Sequence, residues 1–375
     1  MAAFVPMASI SDGFSNSFGY EKRYWKDIKS GFTHFADGDV AVAKISPCLE
    51  NRKSFVARDL PNGIGSGTTE LFVFRSKHIL SDYTLLFFKS NYFISECVAT
   101  FNGVVGQQRA ARNVIEKMTF PIPPAPEQKR IVEAVKELFG RIDEIENAKL
   151  SAKANLDAAK SRILELAIHG KLVPQDPSDE PAIELLKRIN PDFRPSDNLH
   201  YNGDLPKGWI FCTIGDVFQH NTGKALNSVA TNGQVLRYIT TSNLYWDRFD
   251  LTDVRTMHFT EKELEKCKAV KGDLLVCEGG DIGRAAVWTS DESIMIQNHI
   301  HRLRPKTLVS VRYFYYVFYL YKRIGVIGGK GIAIPGLSSR ELAKLVIPVP
   351  PVKEQFRIVD KIDNCFSILD EIVAQ

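Results

Sequence analysis

The chain has 375 residues, of which 44% are hydrophobic and 25% charged, and its formal net charge is +4. This length allows two or three domains, and so mild a positive charge neither indicates nor excludes a nucleic-acid partner. The first residues lack the basic and apolar regions of a signal peptide, and the most apolar run, residues 313–321, is shorter than the roughly 20 residues of a membrane helix. The 6 cysteines show no metal-ligand spacing. We therefore expect a cytoplasmic protein with reduced cysteines, no membrane contact and no metal site.

Residues 1–120 are predicted to form a domain with a mixed, mostly β-sheet core. A Gly-Asp step at residues 38–39 precedes a β-rich run at 40–45, and another strand is expected at 71–75. Glycines and turn residues recur at short spacing around these runs, as in a sheet of short strands. The expected fold class of the chain is therefore α+β.

A long helix is predicted next, within a helical segment at residues 121–170. Prolines between residues 121 and 126 give a stiff entry, Glu127 opens the helix, and Gly170 stands where helix C-termini favour glycine. Apolar residues then alternate in steps of four and three, which is the spacing of a coiled-coil seam. The seam positions are Ile131, Val135, Leu138, Ile142, Ile145, Leu156, Ile163 and Leu166.

A linker and a second domain are predicted after this helix. The linker, residues 171–204, is polar and proline-bearing and contains one short helix at 182–189. Residues 205–347 are expected to form a domain like the first, with another Gly-Asp step ahead of a strand at 274–278. The aromatic run at 312–324 favours a buried helix.

A duplication is the most informative pattern in the chain. Residues 121–145 and 348–372 align without a gap, and both copies carry PxPPxxEQ, then RIV, then DEI. The second copy, within residues 348–375, repeats the seam at Ile358, Ile362, Leu369 and Ile372. A long amphipathic helix cannot bury its apolar stripe alone. We expect the two helices to pair with each other; the alternative is that each packs on its own domain.

One mismatch separates the two predicted domains. Residues 205–234 of the second have no counterpart in the first, because the chain begins at the position equivalent to 235. The first domain is therefore expected to be N-terminally incomplete, either because this copy is naturally shorter or because the chain is truncated. The second helical segment also stops early, at the equivalent of Ala148.

These features together resemble the specificity subunits of type I restriction–modification systems. The resemblance is carried by PIPPAPEQKRIV, PVPPVKEQFRIV, AIHGKLVPQDPSDEPA, LPKGW and FADGDVAVAKISPCLENRKS, and it covers essentially the whole chain. It implies two target-recognition domains, each reading one half of a bipartite double-stranded DNA site. Two conserved helical regions would separate them and pair as an antiparallel coiled coil. The missing LPxGW-like opening of the first domain departs from that pattern.

The resemblance also implies a non-catalytic subunit of a larger complex. Its coiled coil would set the gap between half-sites and hold two adenine methyltransferase subunits and, through them, restriction subunits. No cofactor is expected in this chain; S-adenosylmethionine, ATP and Mg²⁺ would be bound by the partner subunits only. Two other classes stay open, namely the recognition portion of a fused restriction–methyltransferase and a coiled-coil scaffold without a DNA role.

The residues give no motif for catalysis of the chain's own. Neither Pro-Pro pair follows Asn or Asp as a methyltransferase motif requires, and a P-loop at Gly328–Gly329–Lys330 fails because Ile324 and Gly331 stand where glycine and Ser/Thr are needed. His299 and His301 alternate on one face of a predicted strand, but a metal site needs further ligands. A DNA-facing or structural role is the prediction for both histidines.

Several loops offer the residue types that contact DNA. Phosphates need Lys, Arg or backbone amides, and base edges are read by Arg, Lys, Asn, Gln, Ser or Thr. Residues 44–53, 103–112 and 328–340 are rich in these types, and the run 240–243 adds Thr, Ser and Asn. The candidate DNA contacts are Lys44, Asn51, Arg52, Lys53, Gln107, Gln108, Arg109, Arg112, Arg284, Asn298, His299, Lys330, Ser338 and Arg340.

Overall fold

The chain divides into two compact units, Met1–Ala148 and Lys149–Gln375, and the boundary falls inside a long helix. A computed structural model describes residues 1–103, 108–197, 205–226, 232–328 and 337–374. In these ranges no helix is long and apolar enough to cross a membrane.

Two sheets of short strands form the first unit. The strands are β1 (Ala2–Val5), β2 (Glu21–Arg23), β3 (Thr33–Ala36), β4 (Val40–Ala43), β5 (Ser54–Val56), β6 (Ile64–Gly67) and β7 (Leu71–Phe74). One sheet has the order β2-β1-β6-β3, with β1 and β6 parallel, and the other is antiparallel with the order β5-β4-β7. The helices are α1 (Trp25–Ile28), α2 (Ser81–Phe88), α3 (Asn91–Val98) and α4 (Arg112–Lys117), beside 3-10 turns at Met7–Ser9 and Pro61–Gly63.

The long helix α5 (Ala125–Ile168) leads into the second unit, which is larger. Its strands are β8 (Ile210–Thr213), β9 (Phe218–Thr222), β10 (Gln234–Ile239), β11 (Leu244–Tyr245), β12 (Arg248–Phe249), β13 (Arg255–Phe259), β14 (Lys268–Ala269), β15 (Leu274–Cys277), β16 (Ala285–Val287), β17 (Ile294–Ile296), β18 (Ile300–Pro305) and β19 (Val346–Val349). Its helices are α6 (Ala182–Ile189), α7 (Ile214–Val217), α8 (Glu261–Cys267), α9 (Val311–Arg323), α10 (Ser339–Lys344) and α11 (Val352–Ala374).

The second unit repeats the topology of the first and adds to it. Its sheet β13-β10-β17-β14 matches β2-β1-β6-β3, including the central parallel pair. Its sheet β16-β15-β18-β9 matches β5-β4-β7 with one strand more, and the pair β19-β8 has no equivalent among the described strands of the first unit. The prediction of two similar, mostly β domains is therefore confirmed.

The strands after the two Gly-Asp steps are buried on both faces. In β4, Val40 and Val42 enter one core cluster, whereas Ala41 and Ala43 enter another. Because side chains alternate between the faces of a strand, a continuous apolar run of this kind fits only between two layers. Strand β15 is equally buried throughout. This explains why the sequence shows uninterrupted apolar runs at both places.

The glutamine of the duplicated Glu-Gln motif makes the same two hydrogen bonds in both units. The Gln128 side-chain oxygen accepts from the Leu80 N–H at 2.9 Å, and its amide donates to the Pro123 carbonyl at 2.9 Å. Gln355 makes the matching pair of bonds, to the Ser310 N–H and the Pro350 carbonyl, both at 3.0 Å. Each glutamine thus ties the start of a domain helix, α2 or α9, to the proline-rich entry of the helix that follows.

The antiparallel helix pairing is confirmed within the second unit. The Lys160 ammonium near the end of α5 donates to Asp370 of α11, and beyond that end the Gln175 amide donates to Glu354. From residue 160 to residue 175 the chain moves from a contact with residue 370 to a contact with residue 354. The two helices therefore run in opposite directions. Helix α11 also packs on α9 of its own domain, since the Arg312 guanidinium donates to Asp363. Helix α11 therefore pairs with α5 and also packs on its own domain, so the two alternatives for its packing occur together.

The predicted seam is wrong by one position at this end of α5. The residues that enter the core with Ile358 and Ile362 are Leu164, Ala167 and Ile168, whereas Ile163 and Leu166 are only half-buried. The same offset is present near the start of α5, where Val132 is buried and Ile131 is only half-buried. Ile131 and Val132 are both apolar, so the spacing in the sequence does not show which of the two faces the core.

Candidate nucleic-acid interface

In the first unit, two of the predicted DNA-contact loops meet beyond the end of β4. The Ala110 N–H donates to the Lys44 carbonyl at 2.9 Å, and the Ser46 N–H donates to the Gln108 carbonyl at 2.8 Å. Lys44 is half-buried, with its ammonium 5.5 Å from the Phe72 ring centroid. Main-chain bonds therefore hold the residues around Lys44 and Gln108 in one polar surface, although the two loops are far apart in sequence.

Arg109 is fixed in that surface by a bidentate ion pair. Its Nε and one terminal nitrogen each donate to a Glu70 carboxylate oxygen at 2.9 Å, and the arginine side chain remains 48% exposed. The guanidinium holds the pKa of Glu70 below its ordinary value, overcoming the effect of partial burial. Arg109 is thus a positioned cation at the surface, with its planar group oriented by the carboxylate.

Three neighbouring candidates take other positions. The Arg52 Nε donates to the Lys89 carbonyl at 3.0 Å, and the Lys53 ammonium forms an ion pair with Asp12 at 3.2 Å. Both side chains thus bind parts of their own unit, whereas Asn51 and Arg112 are exposed. Among the described residues Arg112 pairs only with Glu116, one turn along α4. DNA contact by Arg52 and Lys53 stays a prediction, and the structure gives each of them an internal role.

Lys89 supports this loop from inside the unit. Its side chain is fully buried and its ammonium donates to the carbonyls of Gly13 and Arg52, at 2.8 and 2.9 Å. Burial, with a smaller contribution from the charge of Arg52, lowers the pKa of Lys89 to about 8. The loop that carries Arg52 is therefore anchored by a buried amine.

The second unit brings its candidates together at the equivalent end of β15. The Gln297 N–H donates to the Ile239 carbonyl at 3.0 Å, and the Glu278 N–H donates to the His299 carbonyl at 2.9 Å. The Arg284 guanidinium donates to the Thr241 carbonyl at 2.6 Å. These bonds join three segments of the chain into one surface, which carries Arg284, Asn298, His299 and the run 240–243.

The sequence reasoning missed an aromatic centre in this surface. The guanidinium carbons of Arg248 and Arg284 lie 4.5 and 5.4 Å from the centroid of the Tyr245 ring. Neither arginine forms an ion pair with any carboxylate in the part of the chain that the structure describes. Two cations that share one ring and lack a carboxylate partner favour the binding of an anion such as phosphate. The hairpin β11-β12, which carries Tyr245 and Arg248, has too few residues to show a strand pattern in sequence.

The remaining candidates lie elsewhere. Ser338 is the N-cap of α10, where its hydroxyl accepts from the Glu341 N–H, and Arg340 is exposed on the first turn of that helix. Gln107 and Lys330 lie outside the described residues. His299 is exposed, whereas His301 is fully buried and bonds to His220 at 2.9 Å. Within the described ranges no group of three or more His, Cys, Asp or Glu residues could hold a metal ion.

Comparison with known proteins decides the family. Residues 66–155 and 206–375 match the family model described as the type I restriction modification DNA specificity domain. The chain belongs to this family. The EcoAI specificity subunit of Escherichia coli is 30% identical over an alignment that covers 99% of this chain and 74% of that protein. The EcoEI specificity subunit of the same species is 28% identical over 100% of this chain and 75% of that protein.

Solved structures of type I specificity subunits share the fold. One comes from a study of complex assembly and conformational transition of the type I restriction–modification system; it has a TM-score of 0.72 at 18% identity, over 100% of this chain and 85% of that one. The HsdS subunit from Thermoanaerobacter tengcongensis has a TM-score of 0.60 at 18% identity, over 99% and 85%. The predicted architecture of two recognition domains and paired long helices is thus confirmed.

Family membership also confirms the predicted class of protein. The relatives are named specificity subunits of type I restriction enzymes, so the chain is a non-catalytic member of such a system. DNA sequence specificity is the family's role. The two surfaces beyond β4 and β15 are the parts of the described chain where the residue types suited to that role are brought together.

Proposed function

We propose that this chain reads a bipartite DNA site, one half with each β-rich domain, and docks two adenine methyltransferase subunits and, through them, restriction subunits. The observation that carries the proposal is the repeated placement of a polar surface at the end of β4 and at the end of β15, two equivalent strands. S-adenosylmethionine, ATP and Mg²⁺ would be bound by the partners and not by this chain, and the complex would work in the cytoplasm.

Contacts in the second domain support a phosphate-binding role for two arginines. Arg284 is held by the Thr241 carbonyl, and its Nε is buried without a partner among the described groups. Arg248 is exposed on the same tyrosine ring. Positioned guanidinium groups of this kind bind phosphate oxygens and release counterions, which makes the affinity fall steeply with salt.

The proposal is tested first by the methylation that the complex directs. The chain is coexpressed with its cognate adenine methyltransferase, and the host genome is sequenced for N6-methyladenine. We expect a bipartite asymmetric motif, which requires both domains to read DNA. A symmetric motif made of one repeated half-site would show that a single domain reads DNA. Absence of methylation from a complex that copurifies would overturn DNA reading by this chain.

Arginine variants then test the surface of the second domain. Arg248→Ala and Arg284→Ala should each weaken DNA binding by the assembled complex about tenfold and lower the slope of log affinity against log salt by about one. Lys271→Ala is the matched control, because Lys271 is an exposed cation ahead of β15 and so lies at the opposite end of that strand. Equal effects of all three variants would contradict a localised contact surface.

The exposed part of the helical seam supports the docking of partner subunits. Leu138, Ile142 and Ile145 of α5 are 59%, 47% and 68% exposed, and Ile372 of α11 is 64% exposed. Ile131, Val135, Leu156 and Leu369 are half-buried. A row of exposed apolar residues on a long helix is typical of an interaction surface.

A charge placed in the exposed seam should prevent assembly. Ile142→Asp is expected to abolish copurification of the methyltransferase, as is a charge at Leu369. Glu144→Lys serves as the control, because residue 144 lies about 200° round the helix from Ile142. Normal assembly of the Ile142→Asp, Leu369→Asp double variant would rule out docking through the seam.

A further inference from the structure

The hairpin β11-β12 of the second unit depends on contacts outside its own strands. Its strands have two residues each and pair Tyr245 directly with Arg248. An isolated two-stranded hairpin is marginally stable at best in water. The turn residue Asp247 also has a φ of 60°, in the left-handed region. Contacts of the turn residues Trp246 and Asp247 with the rest of the unit must therefore hold the hairpin in one orientation.

Arg312 makes the most extensive of these contacts. Its two terminal nitrogens donate to the Asp247 carboxylate, at 2.7 and 3.0 Å. Its Nε donates to both carboxylate oxygens of Asp363, at 3.1 and 3.0 Å. Arg312 lies on the first turn of α9, and Asp363 lies on α11. One guanidinium therefore joins the turn of the hairpin to helix α11.

The charges form a network rather than one exposed ion pair. The Arg312 side chain is 35% exposed, less than the side chain of either carboxylate partner. Burial lowers the pKa of Arg312, but the hydrogen bonds to Asp247 and Asp363 outweigh burial and hold this pKa above its ordinary value. The Tyr316 hydroxyl also donates to Asp363. Bidentate bonds of this kind fix the orientation of both groups as well as joining them.

The other turn residue packs against the same helix. The Trp246 ring lies edge-on to Tyr319 with the centroids 5.0 Å apart, and 6.2 Å from the ring of Tyr315. On the opposite side, the Asp247 N–H donates to the Ala285 carbonyl in β16 at 3.2 Å. The turn is thus fixed to α9 and to the sheet, and Arg312 extends this support to α11.

The position of Arg312 has a counterpart in the first unit. The Tyr83 and Tyr313 hydroxyls each donate, at 3.0 Å, to the carbonyl of the proline that opens one copy of the duplicated segment. The two tyrosines are therefore equivalent, and so are the residues before them, Asp82 and Arg312. An acidic residue in the first unit thus stands where the second unit has a basic one.

The first unit forms the same kind of bridge with opposite charges. Lys136 is equivalent to Asp363 in the alignment of the duplicated segments. Its ammonium donates to Asp82 at 3.2 Å, and the Arg58 guanidinium donates to the same carboxylate at 2.7 Å. An acid between two cations therefore replaces a cation between two acids. Because the residues differ while the bridge is present in both units, the link between domain helix and long helix is the shared feature.

The bridges differ in the residue that forms their third member. Arg58 follows β5 in the first unit, whereas Asp247 directly precedes Arg248 in the second. We propose that Arg312 is a positioning residue for DNA binding by the second unit, because it fixes the hairpin to α11 and so orients the Arg248 guanidinium toward DNA. This inference rests on the proposed function, which takes Arg248 as a phosphate contact. The donors of Arg312 itself are bonded to Asp247 and Asp363, so Arg312 does not touch DNA.

A double-variant cycle tests the proposal in the assembled complex. Affinity for a duplex carrying the site that the complex methylates is measured over a range of salt for Arg248→Ala, Arg312→Gln and the double variant. We expect Arg312→Gln to weaken binding about fivefold, and the double variant to bind no more weakly than Arg248→Ala alone, since both changes act through one contact. The slope of log affinity against log salt should fall by about one in the double variant, as in Arg248→Ala.

Hydrogen exchange separates positioning from a general loss of folding. In Asp363→Asn the amides of Tyr245 and Arg248 should exchange at least about threefold faster, although residue 363 lies on α11, whereas the amides of β15 should not change. The matched control is Arg188→Gln in the same unit, because Arg188 forms a bidentate pair with Glu180 of the linker at 2.6 and 2.7 Å. This control should leave both the hairpin exchange and the DNA affinity unchanged.

The outcomes distinguish failure of this inference from failure of the proposed contact surface. Additive losses in the cycle, or unchanged hairpin exchange in Asp363→Asn, would overturn the inference and leave Arg248 as a DNA contact. A fall of about two in the salt slope of the double variant would instead make Arg312 a phosphate contact. If Arg248→Ala did not weaken DNA binding, the contact surface and this inference would both be wrong. Should the Arg312→Gln chain fail to assemble, Asp363→Asn takes its place in the cycle.

Discussion

Glu127 and Glu354 stand at the same position of a duplicated motif and have opposite surroundings. Glu354 is buried between the Trp209 indole and the Gln175 amide, whereas Glu127 is exposed. The adjacent glutamines do not differ in this way, since Gln128 and Gln355 make matching bonds. The glutamine therefore makes contacts that both units contain, whereas the contacts of the glutamate occur, within the described ranges, in the second unit only.

This difference shows which part of each unit depends on residues 209–222, the segment from Trp209 to the end of β9. The sheets that hold β4 and β15 occur in both units, and in the second unit the segment adds strand β9 to the edge of that sheet. The segment also covers the helices on one side of that sheet, since α7 packs against α10. Substitutions at duplicated positions can therefore separate contacts that the two units share from contacts that the segment adds.

The largest effect is expected for Trp209→Ala. Trp209 is 6% exposed, packs edge-on against Tyr313 and donates to Glu354. Its removal leaves a cavity and a buried carboxylate without its donor, so the free energy of unfolding of the second unit should fall by about 4 kcal/mol. The measurement is urea unfolding followed by hydrogen exchange in each unit.

Trp25→Ala is the control for that experiment. Trp25 is 37% exposed in the first unit and contacts His34, so its loss should change the free energy of unfolding by less than about 1.5 kcal/mol. Equal destabilisation of both units by Trp209→Ala would contradict a role confined to the second unit.

Acid should destabilise the second unit through a buried histidine pair. Burial, and next the nearby His301, lower the pKa of His220 to about 4. The position equivalent to His301 in the first unit is Phe72, from the matching strand registers. Because the folded pKa lies below the unfolded value, the stabilisation is complete above about pH 6.5 and is lost as the pH falls through 4.

This loss should reach at most about 3 kcal/mol at pH 4. It is measured as the difference between the unmodified chain and His220→Gln in urea unfolding at pH 7 and pH 4. The control is His78→Asn, at an exposed histidine of the first unit. A pH dependence that His220→Gln leaves unchanged would assign the acid sensitivity to other groups.

Patterns of short range in the sequence predicted most of the fold. Helix α6 has the predicted bounds, Ala182–Ile189, and β4 lies within the predicted run because its apolar residues are contiguous. Apart from the pairing of the duplicated helices, side-chain contacts of long range in the sequence were not predictable. Lys53 has the sequence context of a surface cation, but its ammonium donates to the Ile10 carbonyl. Arg248 comes to share the Tyr245 ring with Arg284 only in the folded chain.

Gln355→Ala and Gln128→Ala test whether the shared contact is equal in both units. Each substitution removes two hydrogen bonds, to Ser310 and Pro350 or to Leu80 and Pro123. Ser310 is buried and Leu80 is half-buried, so water can replace the lost partner only in the first unit. We expect a cost of about 2.5 kcal/mol for Gln355→Ala and about 1.5 kcal/mol for Gln128→Ala.

The glutamine variants are compared by urea unfolding with Gln219→Ala, at an exposed glutamine of β9, which should cost less than about 0.5 kcal/mol. A larger loss for Gln128→Ala than for Gln355→Ala would contradict the explanation from burial. Equal losses would mean that water does not reach Leu80.

The smallest losses of stability are expected at the ion pairs after the two Gly-Asp steps. Asp39 accepts from Arg75 at 2.7 Å through both oxygens, and Asp273 accepts from Arg304 at 2.8 and 2.7 Å. The carboxylates are almost fully buried, but the side chain of Arg75 is 66% exposed and that of Arg304 only 33%. The charge left behind by a substitution is therefore better hydrated in the first unit.

Asp273→Asn should cost about 2 kcal/mol and Asp39→Asn about 1 kcal/mol, because an unpaired charge is penalised in proportion to its burial. Both asparagines can still accept from the turn N–H that each aspartate binds, of Val270 or Ala36. Asp291→Asn, at an aspartate 89% exposed, provides the baseline in the same urea unfolding series. If Asp39→Asn proved the more costly, the exposure of the arginine would not govern these pairs, and the strain of the Gly-Asp turn would have to be compared instead.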